Sequence, residues 1–213
     1  MPDADDHAWL RQGSTSSTDV EKSYDGWAPT YNKTLAEWGY RAPEEAAKML
    51  RSSIAKNSVM LDAGCGTGLT GIALRGAGFR GPIDGLDIST ESLETAKKSG
   101  VYRILRQVDF QHLLLEFADG SYDALTCIGV LTYVPETEGI LREFARVVRK
   151  GGTLIFTQRD DLFHERELQK TIEALIDKGI FSTASISEPK PYLPDNPDFG
   201  DEIGVIYISV SVT

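Results

Sequence analysis

The residues best spaced for chemistry lie in one stretch, Leu61-Asp62-Ala63-Gly64-Cys65-Gly66-Thr67-Gly68-Leu69-Thr70-Gly71, where eight of the chain's 20 glycines begin to cluster between Gly64 and Gly85. Glycine admits positive φ and lets a ligand approach the backbone with no Cβ in the way. The stretch follows an apolar run, Val59–Ala63, and opens a helix-patterned one, so it is a strand-to-helix turn. Asp87 follows about 20 residues beyond it, at the end of a second strand pattern, where a carboxylate accepts from the two hydroxyls of a ribose. Turn and acid together indicate a nucleoside-containing cofactor. Gly66-Thr67-Gly68-Leu69-Thr70-Gly71 also has the G-x-G-x-x-G spacing of a dinucleotide site, whose pyrophosphate rests on a helix N-terminus. Asp62, just before the turn, would repel a pyrophosphate and attract an ammonium or a sulfonium, which tilts the reading to a cationic nucleoside.

On the substrate side, Ile128-Gly129-Val130-Leu131-Thr132-Tyr133-Val134-Pro135 follows a further strand pattern. Tyr133 there is a candidate to orient an acceptor, and the apolar Gly129-Val130-Leu131 suits a partly apolar one. His164, after the fifth strand pattern, is a second catalytic candidate. Neither it nor His112 has a partner at metal-ligand spacing, and Cys65 and Cys127 form no CxxC, so no metal is expected and a reducing compartment fits.

The elements that must position these groups alternate. Helix patterns span Pro43–Lys56, Leu69–Arg75, Glu91–Lys98 and Thr137–Val148, the last stopped by Lys150-Gly151-Gly152. Strand patterns span Val59–Ala63, Pro82–Asp87, Ile104–Asp109, Tyr122–Ile128 and Thr153–Gln158. Such alternation gives right-handed crossovers and a mostly parallel sheet covered on both faces, a doubly wound α/β domain. A helical stripe at Leu168, Ile172, Leu175 and Ile176 and an alternating strand at Ile206–Val212 follow. Pro189, Pro191, Pro194 and Pro197 mark a loop bordering a pocket between them.

The whole-chain numbers agree. Lys+Arg 22 against Asp+Glu 32 gives a net charge of −10, which argues against nucleic acid as a partner. No apolar run reaches spanning length, so no membrane partner and a cytoplasmic location are expected. The organisation expected is a mobile acidic and polar tail over 1–20, an aromatic segment and helix over 21–56, and the α/β domain over 57–213.

With these motifs in hand, Val59-Met60-Leu61-Asp62-Ala63-Gly64-Cys65-Gly66-Thr67-Gly68 resembles the first motif of the class I S-adenosylmethionine-dependent methyltransferases. Asp87 matches the ribose acid, Val108-Asp109-Phe110 the adenine-contacting strand end, and Tyr122–Gly129 the fourth motif. More narrowly, Tyr24-Asp25-x-Trp27-Ala28-Pro29-x-Tyr31 with Tyr40-Arg41-Ala42-Pro43 is similar to the methyltransferase-like proteins of the Williams-Beuren critical region, departing from them at Asn32, where an acidic residue is expected. The resemblance implies a Rossmann-like, mostly parallel seven-stranded sheet with an antiparallel C-terminal strand. It implies methyl transfer from S-adenosylmethionine to a small-molecule or protein acceptor, leaving S-adenosylhomocysteine. By resemblance the cofactor is held by Asp62, Gly64, Cys65, Gly66, Asp87, Ile88, Asp109, Phe110 and Ile128, with Tyr24, Trp27 and Tyr31 as a lid over its methionine end. The alternatives are an NAD-dependent oxidoreductase and a non-catalytic S-adenosylmethionine-binding module.

Overall fold

The computed structural model describes residues 7–112, 114–199 and 202–213. Four helices come first: Ala8–Gln12 (α1), Ser17–Trp27 (α2), Tyr31–Glu37 (α3) and Ala42–Arg51 (α4). The Ser16 hydroxyl accepts from the Asp19 N–H and starts α2, as an N-cap serine does. In α4, Pro43, Glu44 and Glu45 stand in the first turn and Lys48 and Arg51 in the last, the arrangement that suits the helix dipole.

The first 20 residues differ from the expected tail. Residues 1–6 lie outside the described residues, but α1 and the start of α2 are packed, with Leu10 and Val20 buried. Trp9 and Leu10 cause this, because they join an apolar cluster with Trp27, Leu35, Leu193, Phe199 and Ile203. Too few apolar residues precede Trp9 for periodicity to reveal the helix.

The rest alternates as expected: Met60–Ala63 (β1), Leu69–Gly76 (α5), Ile83–Asp87 (β2), Thr90–Lys98 (α6), Ile104–Gln107 (β3), Tyr122–Cys127 (β4), Thr137–Val147 (α7) and Val148–Arg159 (β5). Asp160–Glu165 (α8), Leu168–Asp177 (α9), Phe181–Ile186 (β6), Lys190–Pro191 (β7) and Gly204–Val212 (β8) complete the chain. The sheet runs β3-β2-β1-β4-β5-β8-β6, with β7 also on β8. The pairs from β3 to β5 are parallel, and β8 enters antiparallel between β5 and β6. The Rossmann-like order of seven strands with an antiparallel C-terminal strand is therefore present.

Two differences have local causes. The Gly151-Gly152 turn lies within β5 rather than before it, since Gly151 takes φ 70° and the β4–β5 register shifts between Tyr122 and Ala124. Strand β6 escaped the sequence reading because Ser182-Thr183-Ala184-Ser185 is a short-side-chain run exposed at the sheet edge.

Both faces of the sheet are covered. Ala46, Ala47, Leu50 and Leu74 pack with Met60, Ile83 and Ile155 on one face, while Leu141, Phe144, Ile172 and Leu175 pack with Leu61, Leu125 and Phe156 on the other. Strand order reverses between β1 and β4, which opens a crevice at their carboxyl ends, the place where such sheets bind ligands.

Candidate functional site

A cleft occupies that crevice. Its floor comes from the strand ends: Gly64 and Gly66 after β1, Asp87 and Ile88 after β2, Asp109, Phe110 and Gln111 after β3, and Ile128, Gly129 and Val130 after β4. Its roof is Ser17, Val20 and Tyr24 of α2 with Tyr31 of α3. Tyr133 and Val134 close one end.

The glycines of the turn serve different needs. Gly64 has φ 78°, and a Cβ there would meet Val130 Cγ2 at 2.0 Å, so its role is close packing of two loops. Gly71 is held by Tyr102, whose ring carbon would stand 2.5 Å from an added Cβ. Only at Gly66, φ 50°, is the space for a Cβ open, and Gly66 faces the cleft. The third glycine of the G-x-G-x-x-G spacing is thus explained by an internal tyrosine.

Asp62 departs from its expected place. It is fully buried behind the turn and is not among the residues lining the cleft. Its carboxylate accepts from Tyr102 Oη at 2.7 Å and Thr126 Oγ1 at 2.8 Å. Burial pushes it up to about 6 against those two bonds. Its charge faces these hydroxyls, so the electrostatic argument from Asp62 to a cationic cofactor does not hold. Cys65 is likewise buried outside the cleft, its thiol pushed up by burial.

Asp87 is where the sequence placed it. Oδ2 accepts from the Gly66 N–H at 2.7 Å and Oδ1 from the Ser89 N–H at 2.9 Å. Each oxygen keeps a lone pair for a ligand hydroxyl. Burial raises this carboxyl to about 6, against the backbone donors that lower it. Asp109 accepts from the Gln111 N–H at 2.9 Å and pairs with His112 Nδ1 at 3.3 Å. Phe110 lines the cleft and also meets Phe144 edge-on at 5.9 Å, so core packing and site duties coincide.

The roof is fastened at several points. Ser89 Oγ donates to Asp25 at 2.7 Å, and the Thr67 hydroxyl donates to Asn32, the position where an acid was expected. Tyr24 Oη donates to Tyr133 Oη at 3.0 Å, and burial pushes the Tyr133 hydroxyl up to about 12. Trp27 does not line the cleft. It lines a second, small chamber that shares Tyr24, Tyr31 and Tyr133 with the cleft and adds Tyr40, Arg159 and Tyr192. Tyr192 comes from the proline-marked loop, which does border a pocket.

His164 stands exposed on α8, edge-on to Phe163 at 5.5 Å, and lines neither cavity. Among the described residues no group of three His, Cys, Asp or Glu could hold a metal ion. Gly129, Val130 and Val134 line the cleft too, within the segment expected on the substrate side, whereas Ser17, Val20 and Gln111 carried no expectation as lining residues; Gln111 was findable, two positions after Asp109.

Residues 61–156 match the family model described as a methyltransferase domain. Methyltransferase-like protein 27 of Homo sapiens is 30% identical over 164 residues, 74% of this chain and 66% of that protein. A ubiquinone biosynthesis O-methyltransferase of Chromobacterium violaceum is 37% identical over 112 residues, 50% of this chain and 46% of that protein. The chain thus spans between about two fifths and two thirds of the length of the curated relatives it matches. A SAM-dependent methyltransferase from Thermotoga maritima superposes with a TM-score of 0.64 at 17% identity, over 88% of this chain and 97% of that one. The [4+2]-cyclase SpnF superposes at 0.69 and 15% identity, over 93% and 97%. At these identities the likeness is one of fold. Fold and family match together define a Rossmann-like methyltransferase domain.

Proposed function

We propose that the chain binds S-adenosylmethionine in the cleft and transfers its methyl group to a small-molecule or protein acceptor. The observation that carries this reading is the Asp87 carboxylate, buried at the cleft between two backbone N–H donors with lone pairs to spare, in front of the open side of Gly66. The residues fit the cofactor: Asp87 suits the ribose hydroxyls, Asp109 the adenine amino group, Phe110, Ile88 and Ile128 the ring faces, and Tyr24 and Tyr31 the methionine end. When bound, the sulfonium supplies an already activated methyl group. What this chain adds is alignment and exclusion of water, since the roof helices cover the cleft.

An NAD-dependent oxidoreductase is not favoured. Tyr102 fills the space beside Gly71, the last glycine of the dinucleotide spacing, and the curated relatives reported above are methyltransferases. The narrower likeness to the methyltransferase-like proteins of the Williams-Beuren critical region is supported by the match to methyltransferase-like protein 27. We assign 57–213 to the transfer domain and 21–56, together with α1, to its cover. A net charge of −10 supports acceptors other than nucleic acid. Among the described residues no helix is long and apolar enough to cross a membrane, and a cytoplasmic site of action is part of the proposal.

Calorimetry on the full chain tests it. Saturable one-to-one binding of S-adenosylmethionine and of S-adenosylhomocysteine is expected; a folded sample that binds neither overturns the reading. Binding without transfer to any acceptor would instead identify a non-catalytic module.

A further inference from the structure

We infer that Asp25, on the roof helix α2, is a positioning residue of the cofactor site: it holds Ser89 in place, and through Ser89 it fixes the carboxylate of Asp87. This rests on the cofactor reading of the cleft. Asp25 belongs to the aromatic segment singled out in the sequence, yet it is not aromatic and is not among the residues lining the cleft.

The contacts form a chain. Asp25 Oδ1 accepts from Ser89 Oγ at 2.7 Å and from the Glu91 N–H at 3.2 Å. The Ser89 N–H in turn donates to Asp87 Oδ1 at 2.9 Å, one of the two oxygens assigned to the ribose. Ser89 is fully buried. Its Oγ accepts from the Ser92 N–H at 3.0 Å and lies 2.9 Å from Ser92 Oγ. A hydroxyl has one proton to donate and two lone pairs to receive with. The Asp25 carboxylate is the stronger acceptor, so the proton goes there and the Ser92 hydroxyl donates back to Ser89. The Ser89 hydroxyl is then saturated and cannot turn without losing a bond, which fixes the backbone N–H that Asp87 leans on.

The needs of α6 do not explain Asp25. That helix already has a cap from its own chain, since Ser89 serves the Ser92 N–H. What Asp25 adds for the helix is the Glu91 N–H, and Glu91 is exposed, where water serves as well. Asp25 also carries a cost, because its charge is among the causes that push the Asp87 carboxyl up. A second acid that opposes the first is accounted for if it aligns it.

The rest of α2 shows why the tie comes from the roof. Glu21, one turn before Asp25, accepts from Gln107 Nε2 at 2.8 Å, and the same nitrogen donates to the Ile88 carbonyl at 3.0 Å. Residues four apart share a helix face. Val20 and Tyr24 thus form one row over the cleft, and Glu21 and Asp25 the next row, on the segment 87–91 at its rim. A roof in place and an aligned ribose acid are one arrangement.

The test is calorimetry with S-adenosylhomocysteine on the full chain, through a cycle of Asp25→Ala, Asp87→Ala and the double variant. Asp25→Ala is expected to weaken binding roughly tenfold, the loss of one hydrogen bond to a charged group. In the Asp87→Ala background the same change is expected to cost less than about twofold, because a residue that acts through another loses its effect with it. Asp25→Asn, whose amide oxygen still accepts from Ser89, is expected to restore most of the affinity. Should Asp25→Ala fail to fold, Asp25→Glu keeps the charge but overreaches Ser89, and its several-fold loss is expected to vanish in the same background. Unchanged affinity in Asp25→Ala, or an equal loss with and without Asp87, overturns the inference; the equal loss would make Asp25 a fastening of the roof alone. A folded wild-type chain that binds no S-adenosylhomocysteine overturns the cofactor reading instead.

Discussion

Asp62 and Asp87 stand in the last two positions of neighbouring parallel strands and are both pushed up to about 6 by burial, yet they serve opposite sides of one glycine turn. Asp62 spends its oxygens on two side-chain hydroxyls behind the turn. Asp87 accepts from backbone N–H groups in front of it and lines the cleft. The same residue type with the same titration thus holds a fold in one place and offers a site in the other. The donor partners, not the burial, tell them apart.

The largest effect comes from breaking the rear half. Asp62→Ala leaves the Tyr102 and Thr126 hydroxyls facing a void, and two unsatisfied buried groups cost on the order of 3 kcal/mol together. Chemical denaturation is expected to show that loss, while the folded fraction binds S-adenosylhomocysteine with unchanged affinity. Should affinity fall in step with stability, the two aspartates are not separable.

Next comes the front half. Asp87→Ala removes the partner of the ribose hydroxyls, an interaction with a charged group worth about 2 kcal/mol, or roughly 30-fold in Kd. Stability at neutral pH should change less than in Asp62→Ala, because Asp87 borders the cleft, where water can stand in for the lost acceptor, and Asp62 does not. Calorimetric affinity equal to wild type would remove Asp87 from the site.

How far these roles were legible in the sequence follows from the same pair. Asp87, Asp109, Phe110 and the glycine turn were readable because a doubly wound sheet carries every strand end to one edge, so order along the chain becomes position in the cleft. Tyr24 and Tyr31 came with the resemblance, as did Trp27, but Trp27 faces the other chamber; sequence distance does not say which way a ring turns. Asp62 was misread for a related reason, since the pleat of β1 decides the side its carboxylate takes and a four-residue buried strand has no alternation to show it. Arg159, Tyr40 and Tyr192 are more than 30 residues apart in sequence and converge only once β8 and the proline loop close on α3 and α4, so no local pattern marks the chamber.

Titration sharpens the contrast further. In the proposed cofactor site Asp87 would accept the ribose hydroxyls only as a carboxylate, so cofactor affinity is expected to weaken by roughly tenfold between pH 7.5 and 5, through the value of about 6. Asp87→Asn should bind more weakly but nearly independently of pH. Asp62 shows its titration in stability instead. Its folded value lies above the unfolded one of about 4, so the folded state holds the proton more tightly and stability falls as pH rises from about 4 to 6. Asp62→Asn is expected to flatten that window, read by denaturant midpoints across it.

The smallest expected effect probes the join between the two halves. Tyr102 Oη donates to Asp62 at 2.7 Å and accepts from the Gly71 N–H at 3.1 Å, so this one hydroxyl links the buried acid to the first turn of α5. Tyr102→Phe keeps the ring that fills the space beside Gly71 and removes only those two bonds. A cost of about 1 kcal/mol is expected, since Thr126 still serves the carboxylate. The lost bond favoured the ionised form of Asp62, so its folded value moves further up and the decline of stability extends to higher pH. The variant should therefore lose more at pH 8 than at pH 5. Cofactor affinity should not move, because neither Tyr102 nor Asp62 lines the cleft; a several-fold loss would mean that the rear of the turn sets the position of Gly66, and that the division between the two aspartates is one of degree.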